Sequence, residues 1–267
     1  MKTISFMTAN YVARQIGYTM TGGWEQGDKA TNAYFRPLET FPERFEALLK
    51  EISDLGFVAI DLWQAHLNPA WATPDHIAIA RDLLAKFGLP LASLQGWFGS
   101  TRAEFVASCR LAVELGRPLL GGRTSLVENE YTFVVGTLQE YGLKLGLENH
   151  PEKNPGELRA RIGTGGDGVL GACVDTGWFG TQGYDAALAL EELRDVLFHL
   201  HLKDVLAVGA HNTCLYGKGV VPIEQCVRTL QRIGYTGGIS VEHQPEHYNP
   251  NDECVEALAL LKSWLDL

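Results

Sequence analysis

Short apolar runs alternate with amphipathic helical segments eight times along the 267 residues of this chain. The runs begin near Ile4, Phe57, Leu89, Pro118, Leu143, Val169, Leu197 and Gly238. Apolar runs separated by helices are typical of parallel strands joined by crossover connections. Eight such units in a chain of this length are what a closed barrel needs. The sequence therefore predicts an α/β fold, with a single (β/α)8 TIM barrel domain over residues 1–267.

The helical segments agree with this prediction. The first has apolar residues at three- and four-residue steps, namely Phe45, Leu48, Leu49, Ile52 and Leu55, which form one stripe. Later helices are predicted to begin near Thr73, Thr101, Ser125, Pro155, Tyr184, Pro222 and Asp252. The glycine-rich segment Gly163–Gly166 precedes a strand and not a helix, so we interpret it as a turn and not as a phosphate-binding loop.

The first crossover contains an unusually long stretch, Gly17–Thr40, that is rich in Gly, Thr and aromatic residues. A loop of this length in a compact domain is usually functional. We predict that it lies over the barrel mouth and contributes Trp24 or Tyr34 to a pocket. The alternative is a partly helical insertion without a role.

Four runs in the second half of the chain lead into residues that bind hard metal ions, and these are Glu148, Asp175, His201 and Glu242. Ligands of parallel α/β sheets collect at the carboxyl ends of the strands. Three carboxylates at one barrel mouth would repel one another without a cation. Three carboxylates and an imidazole suit a divalent ion. The sequence therefore predicts one divalent-metal site, whereas the alternative is scattered acids that pair with Lys or Arg.

Charge and cysteine usage narrow the class of protein. The net charge is −10 and no Lys/Arg run occurs, so binding to nucleic acid or to anionic membranes is disfavoured. The five cysteines are odd in number and show no metal-ligand spacing, which favours a reduced cytoplasm. The first residues are too interrupted for a signal peptide, and no run of about 18 apolar residues occurs. We expect a cytoplasmic protein, with homo-oligomerisation left open.

With the barrel and the strand-end residues in place, the chain resembles the xylose isomerase-like TIM barrels. This superfamily includes sugar phosphate isomerase/epimerase-type proteins, ketose 3-epimerases, inosose dehydratases, hydroxypyruvate isomerases and endonuclease IV-type repair enzymes. The resemblance spans nearly the whole chain. It is carried by Leu147-Glu148-Asn149-His150, Val174-Asp175-Thr176-Gly177, His201-Leu202-Lys203-Asp204, Gly217-Lys218-Gly219 and Val241-Glu242-His243.

The resemblance implies a metal-dependent isomerase or epimerase that acts on a sugar, keto-sugar or cyclitol. One divalent ion, Mn²⁺ first and Mg²⁺, Co²⁺ or Zn²⁺ as alternatives, would be held by Glu148, Asp175, His201 and Glu242. The two glutamates would also serve as acid and base on opposite sides of the substrate. The ion would chelate the carbonyl and the adjacent hydroxyl and stabilise the enediolate that α-proton abstraction creates.

Other functions use the same parts. A lyase of the inosose dehydratase or C-glycoside-cleaving kind needs the same proton abstraction, and a sugar-binding barrel without turnover needs only the ligands. Ketose 3-epimerases carry a substrate-binding His and an Arg where this chain has Trp178 and Ala207, which disfavours a free ketohexose bound in their manner. An endonuclease IV-type hydrolase would need extra histidines in Gln95–Phe98 and Gly121–Thr124, which lack them.

Five further residues are predicted to contact the substrate, namely His150, Lys203, His211, His66 and Trp178. The first two lie on the barrel-facing side of their strand ends, and the others lie just beyond strand ends. Packing or solvated loop positions are the alternatives. By contrast, His199 should point inward one layer deeper and act as a hydrogen-bonded core residue, and His243 should point away from the interior.

Overall fold

Eight parallel strands close the barrel in the computed structural model, which describes residues 3–116 and 118–266. They are β1 (Ile4–Met7), β2 (Ile60–Trp63), β3 (Leu91–Trp97), β4 (Leu119–Arg123), β5 (Leu145–Glu148), β6 (Leu170–Asp175), β7 (Leu197–Leu202) and β10 (Ile239–Val241). Each strand pairs with the next one in this order, and β10 pairs with β1 through Ile4 opposite Ile239. The predicted (β/α)8 TIM barrel is confirmed.

Helices surround the strands. They are α1 (Trp24–Phe35), α2 (Phe41–Asp54), α3 (Pro74–Phe87), α4 (Arg102–Glu114), α5 (Leu126–Asn129), α6 (Tyr131–Tyr141), α7 (Pro155–Ile162), α8 (Thr176–Thr181), α9 (Ala186–Glu192), α10 (Ile223–Arg232) and α11 (Asn251–Trp264). Capping boxes at Thr73 and Thr101 fix the starts of α3 and α4. None of the helices in the described ranges is both long and apolar enough to cross a bilayer.

Two helices differ from their predictions. The helix expected from Ser125 is divided into α5 and α6 at Glu130, whose backbone is not helical. The helix expected from Tyr184 begins at Ala186, because the Asp185 side chain accepts hydrogen bonds from Ala187 N and Leu188 N. Side-chain capping therefore sets the boundary more sharply than the apolar pattern does.

The lower interior of the barrel contains a buried polar cluster. Ser5 and Ser93 donate hydrogen bonds to the Asp61 carboxylate, and His199 Nε2 lies 2.8 Å from Asp61 Oδ1. Burial alone would raise the pKa of Asp61, but the imidazole of His199 holds it below its usual range. His199 is thus a core residue, in agreement with the sequence interpretation.

The carboxyl end of the barrel carries the elements that shape its mouth. The long first crossover contains α1, which packs so closely on the preceding turn that a Cβ at Gly27 would lie 2.3 Å from Val12 O. After β7 a short hairpin follows, made of β8 (Asp204–Val205) and β9 (Thr213–Cys214). Its Asp204 accepts hydrogen bonds from the backbone N–H groups of Gly217, Gly219 and Val221.

Candidate active site

A cleft of about 620 Å³ opens at the carboxyl ends of the barrel strands. Glu148, Asp175, His201 and Glu242 all line it, so the four predicted metal ligands share one cavity. One wall is apolar, and its side chains come from β1, β2 and the first crossover, namely Met7, Val12, Met20, Trp24 and Trp63. A charged floor beside an apolar wall is the usual composition of a small-molecule site.

His201 is the centre of the charged floor. Its Nδ1 lies 3.2 Å from Glu148 Oε1 and 3.2 Å from Glu242 Oε2. Asp175 and Glu242 are joined by the ammonium of Lys203, whose Nζ lies 3.2 Å from Asp175 Oδ2 and 3.3 Å from Glu242 Oε1. The three carboxylates therefore face two cationic or protonatable side chains across very short distances.

The electrostatics of the floor favour the ionised forms of Glu148 and Asp175. Burial favours the protonated form of Glu148, but His150 and His201 lower its pKa well below the usual value. Burial acts in the same direction on Asp175, where Lys203 and His150 lower the pKa below the usual range. Conversely, burial opposes charge on Lys203, yet the adjacent carboxylates of Asp175 and Glu242 raise its pKa.

The residues fit a divalent ion, because two buried polar atoms lack partners. His201 Nδ1 and Glu242 Oε2 make no hydrogen bond within the described part of the chain, although they lie 3.2 Å apart. Burying such atoms unsatisfied is costly. An ion that binds imidazole nitrogen and carboxylate oxygen at about 2.0–2.2 Å would satisfy both.

His150 is a competing nitrogen ligand. Ligand atoms of Glu148, His150 and Asp175 lie within 4.8 Å of one another, which is also a metal-like grouping. Both ring nitrogens of His150 already face carboxylates, at 3.3 Å from Glu148 Oε2 and 3.4 Å from Asp175 Oδ2. We favour His201, because its Nδ1 is buried without a partner, whereas the His150 side chain is 26% exposed.

Helix capping orients Asp175. Its Oδ1 accepts a hydrogen bond of 3.1 Å from Trp178 N at the start of α8. The other oxygen, Oδ2, is left to face His150 and Lys203. The local sequence Asp-Thr-Gly-Trp thus uses one carboxylate oxygen to begin a helix and presents the second to the cleft.

Two fully buried asparagines hold the backbone beside two of the proposed ligands. Asn149 donates to Asp175 O at 3.0 Å and accepts from Asp175 N at 2.6 Å. Asn10 donates to Val241 O at 3.1 Å and accepts from His243 N at 2.9 Å, so it holds the residues on both sides of Glu242. Each amide ties a strand end to the chain that leaves a neighbouring strand.

Four of the five predicted substrate residues line the cleft, namely His150, Lys203, His211 and Trp178. The Trp178 indole packs against the His150 ring at 4.5 Å and stacks on His211 at 5.6 Å, centroid to centroid. Its Nε1 donates to Glu152 O at 2.8 Å. The three rings form a continuous wall beside the charged floor.

His66 does not reach the cleft, which corrects the sequence interpretation. It is 1% exposed, packs against Phe35 at 4.8 Å and lies behind Trp63. Burial lowers the pKa of His66 to about 3, so it is neutral. In the first crossover, Trp24 lines the cleft, whereas Tyr34 lies outside it beneath the guanidinium of Arg44.

The sequence interpretation missed several cleft residues, among them Gln95, Arg123 and Gln244. Gln244 Nε2 donates to Glu242 Oε1 at 2.5 Å, and its Oε1 accepts from Lys203 Nζ at 3.2 Å. Gln244 could have been predicted from its position two residues after Glu242, because residues two apart on an extended chain point to the same side. Arg123 is the last residue of β4, as Glu148 is the last residue of β5. The expectation that ligands bind at the carboxyl ends of the strands therefore applied to Arg123 as well.

The family model of the xylose isomerase-like TIM barrels matches residues 49–264. The chain belongs to this family. A comparison with curated protein sequences gives no significant match.

Solved structures of the same fold are similar to this chain at low sequence identity. A D-tagatose 3-epimerase-like protein has a TM-score of 0.68 and 17% identity, covering 100% of this chain and 97% of its own. A probable 3-DHS dehydratase from Bacillus anthracis has a TM-score of 0.63 and 14% identity, covering 98% and 99%. A Mycobacterium smegmatis family member in complex with magnesium has a TM-score of 0.66 and 18% identity, covering 86% and 89%. At these identities the similarity concerns the fold.

Proposed function

We propose that this protein is a divalent-metal-dependent isomerase or epimerase of a sugar, keto-sugar or cyclitol. The observation that carries the proposal is that Glu148 Oε1 and Glu242 Oε2 each lie 3.2 Å from His201 Nδ1, a buried nitrogen without a hydrogen-bond partner. Glu148, Asp175, His201 and Glu242 would hold the ion. The family, the epimerase-like relative and the magnesium-bound relative support this assignment.

The chain supplies two carboxylates for proton transfer. One of Glu148 and Glu242 would take the proton from the carbon next to the carbonyl, and the protonated partner on the other side would return one. The ion, when bound, would polarise the carbonyl and hydroxyl oxygens and stabilise the negative charge that develops. Paired acid and base groups of this kind contribute typically about 10²–10⁴ each in rate.

The remaining residues of the cleft would bind and orient the substrate. Lys203 and His150 line the cleft beside the carboxylates, so both would lie next to the hydroxyl groups of a bound substrate. Trp178 offers an aromatic face to the cleft, and Trp24 and Trp63 pack at 5.2 Å in the opposite, apolar wall. Aromatic walls with a few fixed polar groups suit the alternating polar and apolar surface of a carbohydrate.

Proton exchange is the direct test. The Mn²⁺-loaded protein is incubated in D₂O with candidate ketoses and inososes, and the products are followed by NMR. We expect deuterium at the α-carbon together with an epimer or an aldose–ketose pair. A dehydrated product would instead assign the lyase chemistry that shares the first proton abstraction. Failure of every candidate to exchange or react would contradict the proposed activity.

The two glutamates are tested by Glu148→Gln and Glu242→Gln in the metal-loaded protein. Each variant keeps the shape of the side chain but loses the base, so the exchange rate should fall about 10²–10⁴-fold. Glu246→Gln, at another carboxylate that lines the cleft, is the matched control and should stay within about tenfold of wild type. Metal occupancy is measured in every variant. Near wild-type exchange by either Gln variant would remove the two-glutamate mechanism and leave His150 as the preferred base.

A further inference from the structure

Arg123 is a cleft residue that the proposed chemistry does not use. It is the last residue of β4 and lines the cleft. Gly122 lies opposite Leu147 in the parallel pair β4–β5, so Arg123 and Glu148 each follow one residue later on neighbouring strands. Neighbouring strands lie about 4.8 Å apart. A molecule bound at Glu148 is therefore within reach of a long side chain at position 123.

The guanidinium of Arg123 has no carboxylate partner among residues 3–116 and 118–266. Its Nε is buried and makes no hydrogen bond. Two other arginines of the same region are paired, Arg102 with Glu130 and Arg161 with Glu128 and Glu152. The Trp97 ring, 5.8 Å from the Arg123 guanidinium carbon, offers a cation–π contact but no hydrogen-bond acceptor. A partly buried guanidinium in this state lacks the acceptors that normally offset its desolvation.

The two residues before Arg123 are glycines that pack closely against β3. A Cβ at Gly122 would lie 2.1 Å from Gly96 O, and a Cβ at Gly121 would lie 2.2 Å from the side-chain nitrogen of Gln95. Close packing between β3 and β4 thus requires glycine at both positions. After these two glycines, Arg123 is the residue of β4 whose side chain lines the cleft.

Charge in the rest of the cleft makes Arg123 distinct. The other strongly basic side chain that lines it, Lys203, is already held by Asp175 and Glu242. The whole chain has a net charge of −10, so an unpaired arginine in a cleft is not a by-product of an excess of basic residues. The planar guanidinium binds carboxylate or phosphate oxygens in pairs.

We propose that Arg123 binds an anionic group of the substrate, a carboxylate or a phosphate, on the side of the cleft formed by β3 and β4. The substrate is then an acidic sugar or cyclitol derivative and not a neutral one. This inference rests on the proposed function for the reacting end of the substrate, which lies at Glu148 and Glu242. The anion-binding role of Arg123 can be measured without turnover.

The experiment compares matched probes by calorimetry, namely D-glucose, D-glucuronate and D-glucose 6-phosphate. We expect at least one anionic sugar to bind wild-type protein about tenfold or more tightly than glucose. The probe that gains affinity distinguishes a carboxylate from a phosphate. Because a carboxylate could also bind the ion, each titration is repeated on protein freed of metal with a chelator. The preference for the anion should persist there.

Variants attribute the preference to Arg123. Arg123→Gln should bring the anionic probe to the affinity of glucose, and Arg123→Lys should retain part of the preference because it keeps the charge but not the paired donors. Arg110→Gln, at a fully exposed arginine that donates to Tyr141, is the control and should bind like wild type. Equal affinity of wild type for all three probes, or an unchanged preference in both Arg123 variants, would overturn the inference. Failure of the proposed catalysis alone would leave these affinities unchanged.

Discussion

At the scale of single residues, the side-chain amide of Asn149 holds the backbone of Asp175 beside the cleft. It bonds both the N–H and the C=O of Asp175 and is fully buried. Asn10 does the same for the two residues around Glu242. Neither asparagine lines the cleft, so we regard both as positioning residues. They fix the backbone on which the proposed ligands Asp175 and Glu242 stand.

Asn149→Ala should therefore weaken Mn²⁺ binding by about 10–100-fold, as losses of supporting hydrogen bonds around metal sites typically do. Calorimetric titration with Mn²⁺ measures the dissociation constant, and a urea titration measures stability separately. Asn129→Ala, at an exposed asparagine with one 3.4 Å bond to Ser125 O, is the control and should bind Mn²⁺ like wild type. An unchanged Mn²⁺ affinity in Asn149→Ala would show that the two hydrogen bonds from the Asn149 amide do not position Asp175.

Asp61 gives a pH-dependent prediction. Burial raises the pKa of the Asp61 carboxyl, but the effect of His199 is larger and lowers it. The pKa of Asp61 in the folded protein therefore lies below the unfolded value of about 3.9. A depressed carboxyl pKa stabilises the fold above the unfolded pKa, and that stabilisation is lost as the pH falls toward the folded one. Asp61→Asn should cost about 3–5 kcal/mol at pH 7, because it leaves His199 without its charged partner. The difference in the free energy of unfolding between Asp61→Asn and wild type should become smaller below about pH 4.

Urea unfolding of both proteins at pH 7 and at successively lower pH measures this difference. Asp54→Asn removes an exposed carboxylate that pairs with Lys50 on α2 and should change stability by less than about 1 kcal/mol. Equal stability of Asp61→Asn and wild type at pH 7 would mean that the Asp61 carboxylate does not stabilise the fold.

The site residues that could be predicted from the sequence are those whose position at a strand end is visible in the sequence itself. Glu148, Asp175, His201 and Glu242 stand at or beside strand ends, and the barrel brings their side chains into one cleft. Sequence reasoning could not find the Asp61 cluster, because Ser5, Ser93 and His199 come together only when the barrel closes. It misplaced His66 because a 3-10 turn, Gln64–His66, directs the ring behind Trp63.

At the scale of elements, α1 forms part of the mouth because Gly27 allows it to approach Val12 in the turn that follows β1. Gly27→Ala would place a Cβ 2.3 Å from Val12 O and 2.7 Å from a Val12 methyl carbon. We expect a loss of about 1–3 kcal/mol from overpacking, despite the better helix propensity of alanine. Urea unfolding of the variant measures this loss.

The control for Gly27 is the same substitution in an open helical position. A Cβ at Gly136 in α6 would meet nothing within 4 Å. Gly136→Ala should therefore stabilise the protein by about 0.5–1 kcal/mol. If both variants are stabilised alike, α1 does not pack tightly against Val12.

The elements themselves were predictable to different degrees. All eight barrel strands begin within three residues of the predicted positions, because buried parallel strands are short apolar runs with glycine or proline nearby. The helix α1 escaped prediction because its buried positions are Gly27, Thr31 and Phe35, which form only a weak apolar stripe. The hairpin after β7 was not predicted because each of its strands, β8 and β9, is only two residues long and gives no apolar pattern.

At the scale of the whole molecule, the barrel should not depend on the ion for folding. A continuous apolar core surrounds the strands, and the site occupies only their carboxyl ends. Chelation should leave the far-UV circular dichroism unchanged. It should lower the melting temperature through the lost binding energy, about 2.7 kcal/mol when the ion is present at 100 times its dissociation constant.

His201→Ala is the matched variant for this measurement, because its melting temperature should no longer respond to added Mn²⁺. Loss of helical signal on chelation of the wild type would show that the ion is a structural part of the fold.

The apolar wall of the cleft has a practical consequence for spectroscopy. The chain has three methionines, and two of them, Met7 and Met20, line this wall. Protein labelled with ¹³C in the methionine methyl groups should therefore give at most three such NMR signals, two of which arise beside the bound ligand. Each wall signal is assigned by a single Met→Leu exchange, a swap that cores usually tolerate. Occupancy of the cleft can thus be followed directly by NMR, even for ligands that are never turned over.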